Sequence, residues 1–128
     1  MKVLIIAAHG SRRKESAMEV DALAKKLNRN ESHAFDRVDH GFLQFSDPRL
    51  IDVIDRAVND GAKQIIVFPL FISAGSHILT DIPEMVSRSG ETYPDVAFSI
   101  TRHLGVLPSV ENAIVEEVAH HLAAGEDQ

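Results

Sequence analysis

An α/β domain with a four-stranded parallel sheet, helices on both faces and flavodoxin-like strand order 2-1-3-4 is what this sequence predicts. Two observations carry the expectation. Residues 2–8 (KVLIIAA) and 63–71 (KQIIVFPLF) are near-continuous apolar runs of strand length, as strands buried on both faces of a parallel sheet require. Between and beyond them, stretches with apolar residues at helical spacing alternate with further strand-like segments. That alternation implies right-handed βαβ units.

The first helix is expected to run to about Leu27, with Val20, Leu23, Ala24 and Leu27 on one face. Ser16 and Glu19 have capping-box spacing, so it starts there or earlier, near Ser11. Residues 35–45 (FDRVDHGFLQF) read as the second strand. Asp47-Pro48 is a suitable N-cap and first-turn pair for a second helix, with Leu50, Ile51, Ile54, Ala57 and Val58 inward. Gly61 is placed to end that helix in a left-handed conformation. After the third strand, a helix includes Ile82, Met85 and Val86 and stops by Gly90, with Pro83 blurring its start. Residues 95–101 (DVAFSIT) alternate Val96, Phe98 and Ile100 as a strand with one buried face does. A last helix over 108–123 is expected to turn Val110, Ile114, Val118 and Leu122 inward, leaving 125–128 as a frayed tail.

The chain has 128 residues, a length suited to one domain over 1–128 with a working core. It contains no Cys, which excludes disulfides, thiolate zinc sites and cysteine-bound iron–sulfur clusters. No apolar run approaches the ~20 residues of a membrane span. The N-terminal run leads straight into a charged helix, so it reads as a strand rather than a secretory signal, and a cytoplasmic location is expected. A formal net charge of -6 argues against nucleic-acid and anionic-membrane partners. Arg12, Arg13 and Lys14 nevertheless form a local positive patch, suited to a small anionic ligand or simply to a solvated helix start.

Two histidines stand where the fold directs ligands. In the order 2-1-3-4 the chain reverses direction between strands 1 and 3, and ligands bind at the carboxyl ends there. His9 follows strand 1 directly, and His77 follows strand 3 by one loop. Imidazole nitrogen suits Co²⁺, Ni²⁺, Fe²⁺ and Zn²⁺, and two such ligands leave most coordination positions open, as a metal in transit requires. Imidazole also accepts protons near neutrality. Gly10 would let a ligand approach the backbone and Gly75 would allow an unusual turn. Gln44 ends strand 2 on the same edge, and Asp81 stands one helical turn beyond His77, where a carboxylate could orient it. His103 lies nearer this edge than His33, His40, His120 or His121, for which solvated or core placements are the default.

With HGS at 9–11, FLQFSDP at 42–48, PLFISAGSHILTDIP at 69–83 and HLGVLP at 103–108, the chain resembles the short, single-domain CbiX-type sirohydrochlorin chelatases, of the class II chelatase family. The resemblance spans nearly the whole chain, and its most specific part is the PLF strand end followed by G-x-H-x-x-x-D-I-P. It implies a chelatase-like half domain and a lyase that inserts a divalent metal into sirohydrochlorin, or a related reduced tetrapyrrole, without ATP. The metal is substrate, with Co²⁺ favoured over Fe²⁺ or Ni²⁺, and no tightly bound cofactor is expected. The family's two site histidines map onto His9 and His77, as metal ligands and proton acceptors. Gly10, Ser11, Arg12, Arg13, Gln44, Phe71, Ser73, Gly75 and Ser76 are expected to contact the tetrapyrrole, with Ile72, Ile78 and Leu79 against its face. Short members resemble one half of the longer ones and pair as homodimers. Many relatives carry Glu where this chain has Gln44, which puts any carboxylate assistance there in doubt.

Two other readings compete. A non-catalytic metal or tetrapyrrole carrier would use the same histidines, and turnover beyond one equivalent separates the two. Phosphate-transferring enzymes with a nucleophilic His also carry HG after a first strand, but usually with Arg just before it. Ala8 occupies that position here.

Overall fold

The structure, a computed structural model, describes residues 1–31, 34–73 and 75–126, without the side chains of residues 76–79 and 126. Strand β1 (Lys2–Ala8) pairs in parallel on both sides, with β2 (Arg37–Phe42) and with β3 (Gln64–Pro69). Strand β4 (Ala97–Ile100) adds in parallel to β3, so the order is β2-β1-β3-β4, as expected. Val3, Ile5 and Ala7 are fully buried, which is why the first strand reads as an unbroken apolar run.

Helices cover the two faces unequally. Helix α2 (Leu50–Asn59) and helix α3 (Ser76–Thr92) lie on one face, where Leu50, Val53, Ile54, Ala57, Ile82 and Val86 close over Val3, Ile5, Ile65 and Val67. Gly41 makes the close approach possible, because a Cβ there would stand 2.8 Å from Leu50 Cα. Helix α1 (Lys14–Asn28) lies on the other face, placing Ala24, Val20 and Leu27 against Ile6 and Val38. Its last residue, Asn28, donates to the Val38 carbonyl at 2.7 Å and accepts from the Val38 N–H at 2.8 Å. That pair satisfies both backbone groups at one point of an edge strand and fastens the helix to it.

Helix ends follow local chemistry, with corrections. Helix α2 stops as expected: Gly61 has φ +105°, its N–H donates to Val58 O and that of Ala62 to Ala57 O, a Schellman closure. Its start is later than Asp47-Pro48 suggested, at Leu50 with Arg49 as N-cap. The Asp47-Pro48 peptide is cis, and Pro48 O accepts from Phe42 N–H at 2.9 Å, so this segment extends the sheet edge before the helix begins. Helix α1 begins at Lys14 without the Ser16–Glu19 capping box. Helix α3 contains Pro83 and continues through Gly90 to Thr92. Tyr93 follows it and donates its hydroxyl to Asp55 Oδ1 at 2.8 Å, tying α3 to α2.

The largest correction concerns the C-terminal helix. After a 3-10 turn (Leu104–Val106), helix α4 (Pro108–Glu126) includes Gly125 and Glu126, expected in the frayed tail; Asp127 and Gln128 lie outside the described residues. Ile114, Val118 and Leu122, expected inward, are exposed, and Val110 is half-buried. The apolar spacing is that of an inward-facing helix, but among the described residues these side chains stand exposed. Ile100 of β4, expected in the buried face, is likewise partly exposed on the sheet's other edge strand. His33 lies outside the described residues. No described helix is long and apolar enough to cross a membrane.

His40 is half-buried on β2, edge-on to Phe42 and 3.9 Å from Asp21. Burial pushes its pKa below the ordinary 6.5, and the nearby carboxylates of Asp21 and Asp39 only partly oppose this. The folded chain therefore binds this proton less readily than the unfolded chain. Stability should be held above about pH 6.5 and fall as pH drops below it towards the lowered folded value. Urea midpoints at pH 8, 7, 6 and 5.5 should show that decline, and His40→Gln should flatten it. Parallel pH curves for the two proteins would refute the assignment.

Candidate functional site

The carboxyl ends of β1 and β3 are neighbours in register, with Ala7 opposite Pro69. His9 therefore emerges immediately beyond β1, beside the segment that leads from β3 to α3. His77 stands in the first turn of α3, and its side chain lies outside the described part of the structure. The chain reversal between β1 and β3 thus brings both backbone positions to one end of the sheet.

Beside His9 the β1 and β2 chains continue as a paired loop. Leu43 N–H donates to Ala8 O at 2.9 Å and Gln44 N–H to His9 O at 3.0 Å. Phe45 then adopts φ +68° while Ser46 N–H closes on Gln44 O at 2.8 Å. Such a tight turn with a bulky residue at positive φ is strained, and strain of this kind concentrates at functional sites. The turn directs the Gln44 carbonyl at Gly10, where a Cβ would lie 1.6 Å from the oxygen, and Gly10 itself has φ +100°. Gly10 is thus required by the approach of the neighbouring backbone. Ser46, buried, completes the clamp: it accepts from Ser11 N–H at 3.0 Å and donates to Ser11 O at 2.9 Å.

The turn also presents functional side chains. Gln44 Nε2 lies 3.0 Å from His9 Nε2. With the amide nitrogen donating, the imidazole accepts and carries its proton on Nδ1; a rotated amide would present oxygen to the other tautomer. Phe45, half exposed, sets its ring edge-on to His9 at 6.4 Å, and Arg12 places its guanidinium 5.1 Å over the Phe45 ring. Arg12 is therefore coupled to His9 through one aromatic ring.

A cleft of about 640 Å³ opens beside His9, lined by Leu43, Gln44, Ile51, Asp81, Glu84, Met85 and Arg88. Its α3 wall was largely missed from sequence. Residues 81, 84, 85 and 88 share one helical stripe, and the polar members at i, i+3 and i+7 were the available signal. Asp81, expected as an orienting carboxylate, is on this wall. Among the described residues no three His, Asp or Glu side chains gather closely enough to hold a metal ion.

Other expected contacts take different places. Phe71, expected against the ligand, is buried in the core of the α2–α3 face. Ile72 and Ser73 are exposed on the segment after β3. Gly75 is the N-cap of α3 with φ -71°, an ordinary conformation rather than an unusual turn, and Ser76 opens the helix. Arg13 is the N-cap residue of α1, and its N–H donates to Ser11 Oγ, which engages that hydroxyl locally. His103 precedes the 3-10 turn, where Gly105 N–H donates to Phe71 O at 2.9 Å and a Cβ on Gly105 would stand 1.6 Å from Ile72 O. The turn after β4 is thereby pressed onto the segment leading to α3.

Comparison with known proteins assigns the family and the fold. The family model CbiX matches residues 3–121. The chain belongs to the CbiX family. It is 28% identical over 128 residues to the chloroplastic sirohydrochlorin ferrochelatase of Arabidopsis thaliana, covering 98% of this chain and 56% of that protein. With the sirohydrochlorin cobaltochelatase of Methanococcus aeolicus it shares 34% identity over 86 residues, 67% of this chain and 59% of that one. The chain thus spans little more than half the length of these relatives. Among solved structures, a CbiX protein of cobalamin biosynthesis from Marinobacter aquaeolei superposes with TM-score 0.83 at 25% identity, covering 97% of this chain and 99% of that one. The sirohydrochlorin chelatase SirB from Bacillus subtilis subspecies spizizenii, in complex with cobalt, matches with TM-score 0.80 at 25% identity over 93% of this chain and 50% of its own.

The glycine clamp of this CbiX-family chain gives a direct test. Gly10→Ala combines a disfavoured φ with a backbone collision and should cost about 3 kcal/mol or more. Gly75→Ala meets nothing within 4 Å and should cost less than about 1 kcal/mol. Denaturant midpoints of the two variants would compare them, and equal losses would contradict the clamp.

Proposed function

We propose that the protein is a sirohydrochlorin chelatase, a lyase that inserts a divalent metal ion into the reduced tetrapyrrole without ATP. The observation that carries this reading is His9, paired with Gln44 at the mouth of an open cleft at the strand-order reversal, in a chain of the CbiX family. Co²⁺ is the favoured metal. Relatives named cobaltochelatase and ferrochelatase both occur, so Fe²⁺ is the first alternative and Ni²⁺ the second.

Insertion replaces two pyrrole N–H protons by one M²⁺, so two protons leave for each metal bound. In this reading His9 and His77 hold the ion briefly and accept those protons as the macrocycle nitrogens take over coordination. Leu43, Ile51 and Met85 offer apolar surface to the ring system, and Phe45 adds an exposed aromatic edge next to His9. Arg88 in the cleft and Arg12 above Phe45 supply positive charge for the substrate's peripheral carboxylates, in a chain that is acidic overall. Such an enzyme needs no resident cofactor, and its place is the cytoplasm. The longer relatives would carry in one chain what two copies of this one supply as a homodimer.

An anaerobic absorbance assay with sirohydrochlorin in excess over protein, offering Co²⁺, Fe²⁺ or Ni²⁺ in turn, tests the proposal. Wild type should turn over many times, and His9→Ala and His77→Ala should each lose about 10²-fold or more in kcat. A wild-type rate equal to the uncatalysed rate would refute the chelatase reading, and binding of one equivalent without turnover would make the protein a carrier.

Gln44 supplies a second, sharper test. Gln44→Glu places a carboxylate 3 Å from His9 and favours the imidazolium. The acid limb of the pH–rate profile should therefore move to higher pH. An unmoved limb would show that His9 does not accept the proton that limits the rate.

A further inference from the structure

Phe45 occupies a backbone position that suits glycine. Its φ is +68°, and Ser46 N–H closes on Gln44 O at 2.8 Å, which makes it the centre of a three-residue turn. A bulky residue in this region carries a backbone cost that its contacts must offset. Burial supplies little of that offset, because Phe45 is 49% exposed and belongs to neither core cluster. Its ring meets instead two side chains of the loop after β1. It stands edge-on to His9, with centroids 6.4 Å apart and planes at 66°, and the Arg12 guanidinium lies 5.1 Å from its centroid.

Arg12 is exposed, and among the described residues it forms no ion pair. A long side chain of this kind samples many rotamers unless something holds it. The negative face of the Phe45 ring is what holds it. The same ring keeps the cation from lying directly on His9, where it would disfavour the imidazolium and repel an incoming divalent ion. Across the cleft, the α3 wall sets Asp81 and Glu84 beside Arg88, so positive charge on that side is partly cancelled. Arg12 is the cation next to His9 that no carboxylate offsets.

From this arrangement we infer that Phe45 is a positioning residue: its ring fixes Arg12 at the rim of the cleft, where the guanidinium receives a peripheral carboxylate of the tetrapyrrole. The strained turn thus serves two side chains at once. Gln44 is turned onto His9 Nε2, and the next residue holds the anion-binding group one ring-width away. The assignment goes beyond the charge of Arg12, because it names the residue that places that charge. The identity of the ligand rests on the chelatase reading.

A double-mutant cycle on the affinity for metal-free sirohydrochlorin, followed by absorbance titration, tests the assignment. Arg12→Gln should weaken binding about tenfold. Phe45→Leu keeps an apolar side chain but loses the aromatic face, and should weaken binding about fivefold. The two together should bind no worse than Arg12→Gln alone, whereas Arg88→Gln should add its full factor to Phe45→Leu. Phe45→Tyr, which restores the ring, should bind like wild type. The urea midpoint of Phe45→Gly should be no lower than that of wild type, since glycine relieves the positive φ. Additive losses in Arg12→Gln and Phe45→Leu, or a lowered Phe45→Gly midpoint, would overturn the positioning role. The titration omits metal and so decides the matter whether or not the protein turns over. Coupled binding without turnover would overturn the chelatase reading alone, and a wild type that binds no tetrapyrrole would overturn both.

Discussion

Strand β1 is paired in parallel on both of its edges, and the remainder of the domain depends on that pairing. Because β2 lies on one side and β3 on the other, the chain must cross the sheet between β2 and β3. Right-handed crossovers then send α1 to one face and α2 and α3 to the other. The same reversal of direction leaves a crevice at the carboxyl end of β1, where no crossover connection fills the space. His9 is the first residue past that end. Its position thus follows from backbone hydrogen bonding several residues away, and no local feature of the HGS stretch would be sufficient.

Two glycines convert this general crevice into a defined site. Gly10 admits the Gln44 carbonyl and Gly105 admits the Ile72 carbonyl, each at a distance where any side chain would collide. The first contact holds the loop that presents Gln44 and Phe45 to His9. The second holds the segment that leads to the first turn of α3. Both are backbone-to-backbone contacts, so the side chains around them remain free to meet a ligand. Ser11, expected at the ligand, serves this framework instead through its backbone and its hydroxyl.

Much of the fold could be read from the residues because its determinants are local or periodic. The unbroken apolar run of β1, the inward face of α2 and the left-handed Gly61 all report short-range demands. The order of the strands followed from the alternation of elements and the handedness of their connections. The site was readable to the extent that topology selects positions, and it selects those of His9 and His77. The α3 wall escaped because Met85 lies on the same stripe as core residues, and its polar neighbours looked like any solvated helix face. Phe71, found in the core, shows the converse: a strand-end aromatic near a histidine has the same spacing whether it faces a ligand or the core.

By itself, the sequence determined the element types, the parallel sheet, the histidine positions and the apolar ridge of α4, since each depends on dihedral preference or hydrophobic period. Only the tertiary structure decided what those features meet. It turned the Gln44 side chain towards His9, set the Phe45 ring between His9 and Arg12, and left the apolar ridge of α4 exposed. Periodicity states that a face must be buried, but contact between faces distant in sequence is fixed by chain direction at each turn. At the 3-10 turn that direction depends on Gly105 meeting Ile72, two residues 33 positions apart in the sequence.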